Sequence, residues 1–97
     1  MEYTLIDDTA NKRYVFELEG ENPRIEYIKA GERIVLTHTE VPSEHEGKGI
    51  GSALVKAVLA DVDRQGLILV PLCPFVAMYI KRHPEWKRLV LKGINFE

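Results

Sequence analysis

Glu46-Gly47-Lys48-Gly49-Ile50-Gly51-Ser52-Ala53-Leu54 divides the chain into two kinds of pattern. Before it apolar residues alternate; after it they recur at helical spacing. Upstream, Ile34-Val35-Leu36-Thr37-His38-Thr39-Glu40-Val41 is rich in β-branched residues and reads as a strand. Downstream, Ile50, Leu54, Val58 and Val62 step by four, and Val55 and Leu59 widen the stripe into the buried face of an amphipathic helix. Gly66 stands where a helix C-terminal glycine belongs. Leu67-Ile68-Leu69-Val70 follows as an unbroken apolar run, the pattern of a strand covered on both faces. Strand, helix and strand in that order predict a right-handed βαβ crossover with a parallel pair.

Outward from this unit, Tyr14, Phe16 and Leu18 alternate with Arg13, Val15 and Glu17, so one face of an earlier strand is apolar. Asp7-Asp8 and Gly20-Glu21-Asn22-Pro23 bracket it with turn signals. Ile25 to Ile28 makes a further strand, closed by Ala30-Gly31-Glu32. The first 41 residues therefore read as an antiparallel meander of four short strands. Toward the C-terminus, Pro74 opens a second helix, His83-Pro84 ends it, and Trp86 to Leu91 is expected to supply a last short strand. The fold class is α+β (mixed α/β), in one domain spanning residues 1–97.

Composition narrows the function classes. Fifteen acidic and thirteen basic residues give a net charge of -2, without the basic excess a nucleic-acid binder needs. No apolar run approaches a membrane span, and Met-Glu-Tyr-Thr lacks the start of a signal peptide, so a cytoplasmic protein without membrane contact is expected. The single cysteine, Cys73, excludes an internal disulfide framework. His38, His45 and His83 lie apart and no metal-ligand spacing occurs, so no metal site is expected. Charge is uneven along the chain: residues 1–46 hold eleven acids and five bases, and residues 47–97 hold four acids and eight bases. Two solvated faces account for this; so does a C-terminal half that holds a polyanion while the other half meets a cation.

Three alternating glycines ahead of a helix let a ligand approach backbone amides with no Cβ in the way. The helix start adds free N–H groups and the positive end of its dipole, a site for phosphate oxygens. The plainer reading is a flexible loop leading into a helix. Familiar phosphate loops fail on spacing. The dinucleotide fingerprint would need glycine at Ser52, the P-loop a Lys-Ser/Thr after the last glycine, and a KH loop a glycine at Ile50.

What fits is the x-x-G-x-G portion of the pyrophosphate loop of acetyl-CoA-dependent N-acetyltransferases. Together with Leu36-Thr37-His38-Thr39-Glu40-Val41-Pro42 and Leu72-Cys73-Pro74-Phe75-Val76, in that order, the chain resembles the GNAT superfamily, and specifically its very small members. Larger members open the glycine motif with Gln or Arg; here that position is Glu46. The departure leaves a backbone-amide mechanism intact and makes a phosphate contact from the Glu46 side chain unfavourable. The resemblance implies that the amides of Gly47, Lys48, Gly49, Ile50, Gly51 and Ser52 hold the coenzyme A pyrophosphate. It implies too that the strand ending at Val41 splays from Leu67–Val70, with pantetheine in the gap beside Cys73, Pro74, Phe75 and Tyr79. Small relatives carry a His and a Cys matching His38 and Cys73, both tied to activity.

The residues themselves leave alternatives open. His38 and Glu40 fall on one strand face, and either could take a proton from an attacking amine; His38 could equally be a structural histidine of the sheet. Cys73, just before Pro74, occupies a helix N-cap that favours thiolate, or is a small buried apolar residue. Direct attack with His38 as base is the expected route; transfer through an acetyl-Cys73 is the other. Tyr79 could protonate the leaving thiolate, as in larger members, or complete a core stripe with Phe75 and Val76. Lys48 is the expected phosphate-side cation. Lys81, Arg82, Lys87, Arg88 and Lys92 form a basic cluster, of which one or two could meet the coenzyme A 3′-phosphate while most are solvated charges. The expected activity is acetyl transfer from acetyl-CoA to a primary amine, a protein lysine or a polyamine, by a monomer or weak homodimer. A non-catalytic CoA or acyl-CoA-binding module is the competing reading.

Overall fold

Five strands form one sheet in the order β1-β2-β3-β4-β5 in the computed structural model, which describes residues 3–94. They are β1 Thr4–Asp8, β2 Arg13–Glu17, β3 Arg24–Ala30, β4 Arg33–Glu40 and β5 Ile68–Pro71. The first four make an antiparallel meander, and β5 returns parallel to β4. Helix α1, Ile50–Arg64, carries the crossover, and α2, Pro74–Arg82, follows β5. This is the expected α+β arrangement of meander, βαβ crossover and second helix.

One sheet face makes the core. Tyr14 lies opposite Ile25, Tyr27 opposite Leu36 and Ile34 opposite Leu69, and all six are buried. Both helices cover them, with Leu54, Val55, Val58, Leu59 and Val62 from α1 and Val76 and Ile80 from α2. The two buried phenols of the sheet find acceptors: Tyr14 donates to Asp61 Oδ2 at 2.8 Å and Tyr27 to Asp7 Oδ1 at 2.5 Å. Helix α1 ends as its sequence directs, with Gly66 donating to Asp63 O and Leu67 to Val62 O.

Two expectations are corrected. The apolar run around β5 is not covered on both faces. Leu69 and Pro71 are buried under the helices, while Ile68 and Val70 share the half-open outer face with Arg33 and Val35. The segment Trp86 to Leu91 does not form the expected strand. Pro84–Leu89 is a 3₁₀ turn, because local carbonyls capture the N–H groups a ladder would need: Trp86 donates to His83 O and Val90 to Lys87 O, both at 3.1 Å. Among the described residues, a single bridge, Val90 to Leu69, and the Leu91 N–H on Leu69 O are the backbone links from this segment to β5. Among the described residues no helix is long and apolar enough to cross a membrane.

Candidate active site

Strands β4 and β5 part company at a definite point. Their ladder runs from Arg33–Ile68 to Leu36–Pro71, after which β4 continues to Glu40 paired with β3 only. The Cys73 N–H makes a last link to Leu36 O at 2.9 Å before the chain turns into α2, with Pro74 in its first turn. Beyond lies a cleft of about 400 Å³ between the end of β4, the glycine loop and Phe75, within the size range of ligand sites. Thr39, Glu40, Val41, Gly47, Gly49, Ile50, Gly51 and Ser52 line it.

The glycines act in two ways. Gly49 is the N-cap of α1 with φ +74°, a left-handed conformation that strains any residue with a Cβ. It offers no side chain to cap the helix, and the first amide to return to an acceptor within the turn is that of Ala53, on Gly49 O. The amides of Ile50, Gly51 and Ser52 are therefore available to a ligand. At Gly51 the need is space: a Cβ there would stand 2.8 Å from Phe75 Cζ and 3.3 Å from Val41 Cγ2. Phe75, 44% exposed, thus leans on the helix start and forms the far wall of the cleft. It is not part of a core stripe; Val76, Tyr79 and Ile80 are.

A β-bulge decides which side chains face this cleft. Glu26 of β3 lies opposite His38, yet Tyr27 lies opposite Leu36, so Thr37 is an extra residue whose hydroxyl donates to Glu26 O at 3.2 Å. The insertion reverses the alternation along β4. Thr39, paired with Ile25, faces the helices, and His38 and Glu40 turn to the outer face. There His38 Nε2 lies 3.1 Å from Glu40 Oε1, both side chains half-exposed. Glu40 lies opposite Arg24, which pairs with Glu26 at 3.0 Å. On the helix face, Cys73 is 3% exposed and its Sγ lies 3.1 Å from Thr39 Oγ1. His38 with Glu40, and Thr39 with Cys73, thus make two polar pairs on opposite faces of the strand end.

Tyr79 lies on the buried side of α2, its phenol pushed above the ordinary tyrosine range by burial and, secondarily, by Glu85. His83 stacks on it at 4.1 Å and donates from Nδ1 to Tyr79 O at 2.9 Å. A second hollow of about 130 Å³, lined by Ser52, Phe75, Met78, Tyr79, Arg82 and His83, adjoins the cleft through Ser52 and Phe75. In the basic cluster Arg88 is bound to Asp63 through two hydrogen bonds of 2.9 and 2.7 Å. A larger hollow of about 640 Å³ crosses the outer face near Ile6, Asp8, Arg13 and Arg24 and has no glycine loop. Two residues at the cleft escape sequence reasoning. Thr39 gains its role only through the bulge; His45, which lines the cleft, has no signal in its spacing.

A family model described as GCN5-related N-acetyl-transferase matches residues 13–89. The chain belongs to this family. Protein NATD1 of Gallus gallus is 35% identical over 80 residues, which cover 79% of this chain and 73% of that protein. Protein NATD1 of Homo sapiens is 35% identical over 79% of this chain and 71% of its own length. The Xenopus tropicalis protein of that name is 31% identical, with 79% and 73% covered. For a GCN5-related N-acetyltransferase the span is telling: every residue named at the cleft lies inside it, from β4 through the glycine loop to α2.

Proposed function

We propose that the chain transfers an acetyl group from acetyl-CoA to a primary amine, and that the cleft beside the glycine loop is the coenzyme A site. The observation that carries this is the parting of β4 and β5 after Leu36–Pro71, where the end of β4 and the free helix amides line one cleft. The residues there suit the cofactor. Amides of residues 47–52 would hold the pyrophosphate, with Lys48 as the nearby cation, and Val41 and Phe75 would flank the pantetheine arm. When bound, the thioester supplies the acetyl group and a thiolate leaving group. The protein's part is to bring an uncharged amine to that carbonyl. Glu40 would attract the ammonium form, and His38, within hydrogen-bond distance of Glu40, would take its proton. A protein lysine or polyamine fits this chemistry, because both approach as cations.

A second route is favoured by one feature: Cys73 sits at the helix N-cap with its sulfur held by Thr39. Its thiolate would form an S–acetyl bond as the cofactor thiol departs, and an amine would then take the acetyl group and restore the thiol. Acetyl-CoA turnover with a lysine peptide or spermidine, measured on wild type, His38→Ala and Cys73→Ala, separates the possibilities. Direct transfer predicts a rate loss on the order of a hundredfold in His38→Ala and retention in Cys73→Ala. An intact mass that gains one acetyl group, lost only in Cys73→Ala and discharged by amine, would establish the cysteine route. Coenzyme A binding without turnover would leave a binding module.

A further inference from the structure

His45 carries a buried polar atom that the fold does not satisfy. It closes the 3₁₀ turn Ser43–His45, whose backbone is pinned by His45 N–H on Pro42 O at 2.9 Å and Glu46 N–H on Ser43 O at 3.2 Å. His45 belongs to the lining of the glycine-loop cleft. Its Nε2 is closed off from solvent and has no hydrogen-bond partner, the one such side-chain nitrogen or oxygen among the described residues. Native folds leave few buried polar groups unpaired, so an orphan beside a cleft points to a group that arrives with a ligand.

The surroundings say what that group is. Glu44 and Glu46 flank His45, and the loop's cation is Lys48. Glu44 is drawn aside toward the β2–β3 turn, where a Cβ on Gly20 would stand 2.7 Å from its carboxylate. An anion at the loop would therefore need directional N–H donors beyond its backbone amides, and His45 is a cleft residue whose Nε2 has no partner within the fold. We propose that His45 Nε2–H donates to a pyrophosphate oxygen of the cofactor, an assignment that rests on the cleft being the coenzyme A site. Its role is binding and not proton transfer; the proton acceptor proposed for the amine is His38, on the outer face of the β4 end.

The test uses calorimetry with coenzyme A and with pantetheine, which lacks the pyrophosphate, on wild type and three variants. Gln reproduces a donor near the position of Nε2, Asn reproduces Nδ1 instead, and Leu removes both. His45→Leu and His45→Asn are expected to weaken coenzyme A roughly tenfold, and His45→Gln by no more than about threefold, with pantetheine unaffected throughout. The thermal midpoint of ligand-free His45→Leu should equal or exceed that of wild type, because an unpaired polar atom has been removed. The imidazole ¹⁵N spectrum should show the Nε2 proton held on adding coenzyme A to wild type. If His45→Leu does not fold, Gln against Asn decides: equal affinities overturn the proposal. Equal coenzyme A affinity in all four proteins overturns it while leaving the coenzyme A site standing. A wild type that binds no coenzyme A overturns both.

Discussion

One absent methyl group keeps the cleft open. Because a Cβ on Gly51 would press into Phe75 and Val41, Gly51→Ala must push the half-exposed Phe75 ring aside, and Phe75 is the wall a ligand would touch. The ring has room to swing, so the stability loss should stay near 1 kcal/mol. Coenzyme A affinity should fall roughly tenfold, which calorimetry would read; unchanged affinity would remove Phe75 and Val41 from the site. At Thr39, Thr39→Val keeps the shape and deletes the hydroxyl next to Cys73 Sγ. It should cost about 1 kcal/mol or less by chemical denaturation. It should also alter the alkylation rate of Cys73 without unfolding the protein.

At the level of elements, β4 and α1 do most to build the site, and they differ in how readily the chain announces them. All six apolar positions expected on α1 are buried, because a period near four is imposed by local geometry alone. Gly49→Ala tests its N-terminus: a left-handed φ of +74° should make the alanine variant about 1 kcal/mol or more less stable, read from its denaturation midpoint. The meander was equally legible, since Tyr14 and Phe16 alternate with Arg13 and Val15 on opposite sheet faces. The bulge at Thr37 was not. Spacing puts His38 on the face of Leu36, whereas pairing with β3 reverses it, and pairing is a long-range choice that no local pattern records. The Trp86–Leu91 reading failed for a related reason. Its apolar residues fit a strand, but the Pro84 turn and the Arg88–Asp63 pair direct the segment onto α1.

Across the whole molecule, the part-buried Tyr14–Asp61 pair ties helix α1 to the sheet and contributes to the response to acid. Burial would raise the Asp61 carboxyl, but bonds from Arg64, Tyr14 and Gln65 outweigh it and hold the group below its ordinary range. Its contribution to stability is therefore present above the unfolded value, near pH 4, and is lost as pH falls through the lower folded value. Asp61→Asn should lower stability at pH 7 by about 1–2 kcal/mol and flatten the fall below about pH 4, as denaturant titrations across pH would show. The sheet's two faces divide the remaining work. One buries the core and ends in Thr39, Cys73 and the glycine loop; the other carries Arg24, Glu26, His38 and Glu40 toward solvent. The central claim is that the parting of β4 from β5 is where coenzyme A binds. An amide ¹H–¹⁵N titration with acetyl-CoA tests it most directly. The account predicts shifts at residues 47–52, Val41 and Phe75, with Ile6 and Val15 of the larger outer hollow unmoved. Shifts confined to that outer hollow, or none at saturating acetyl-CoA, would contradict it.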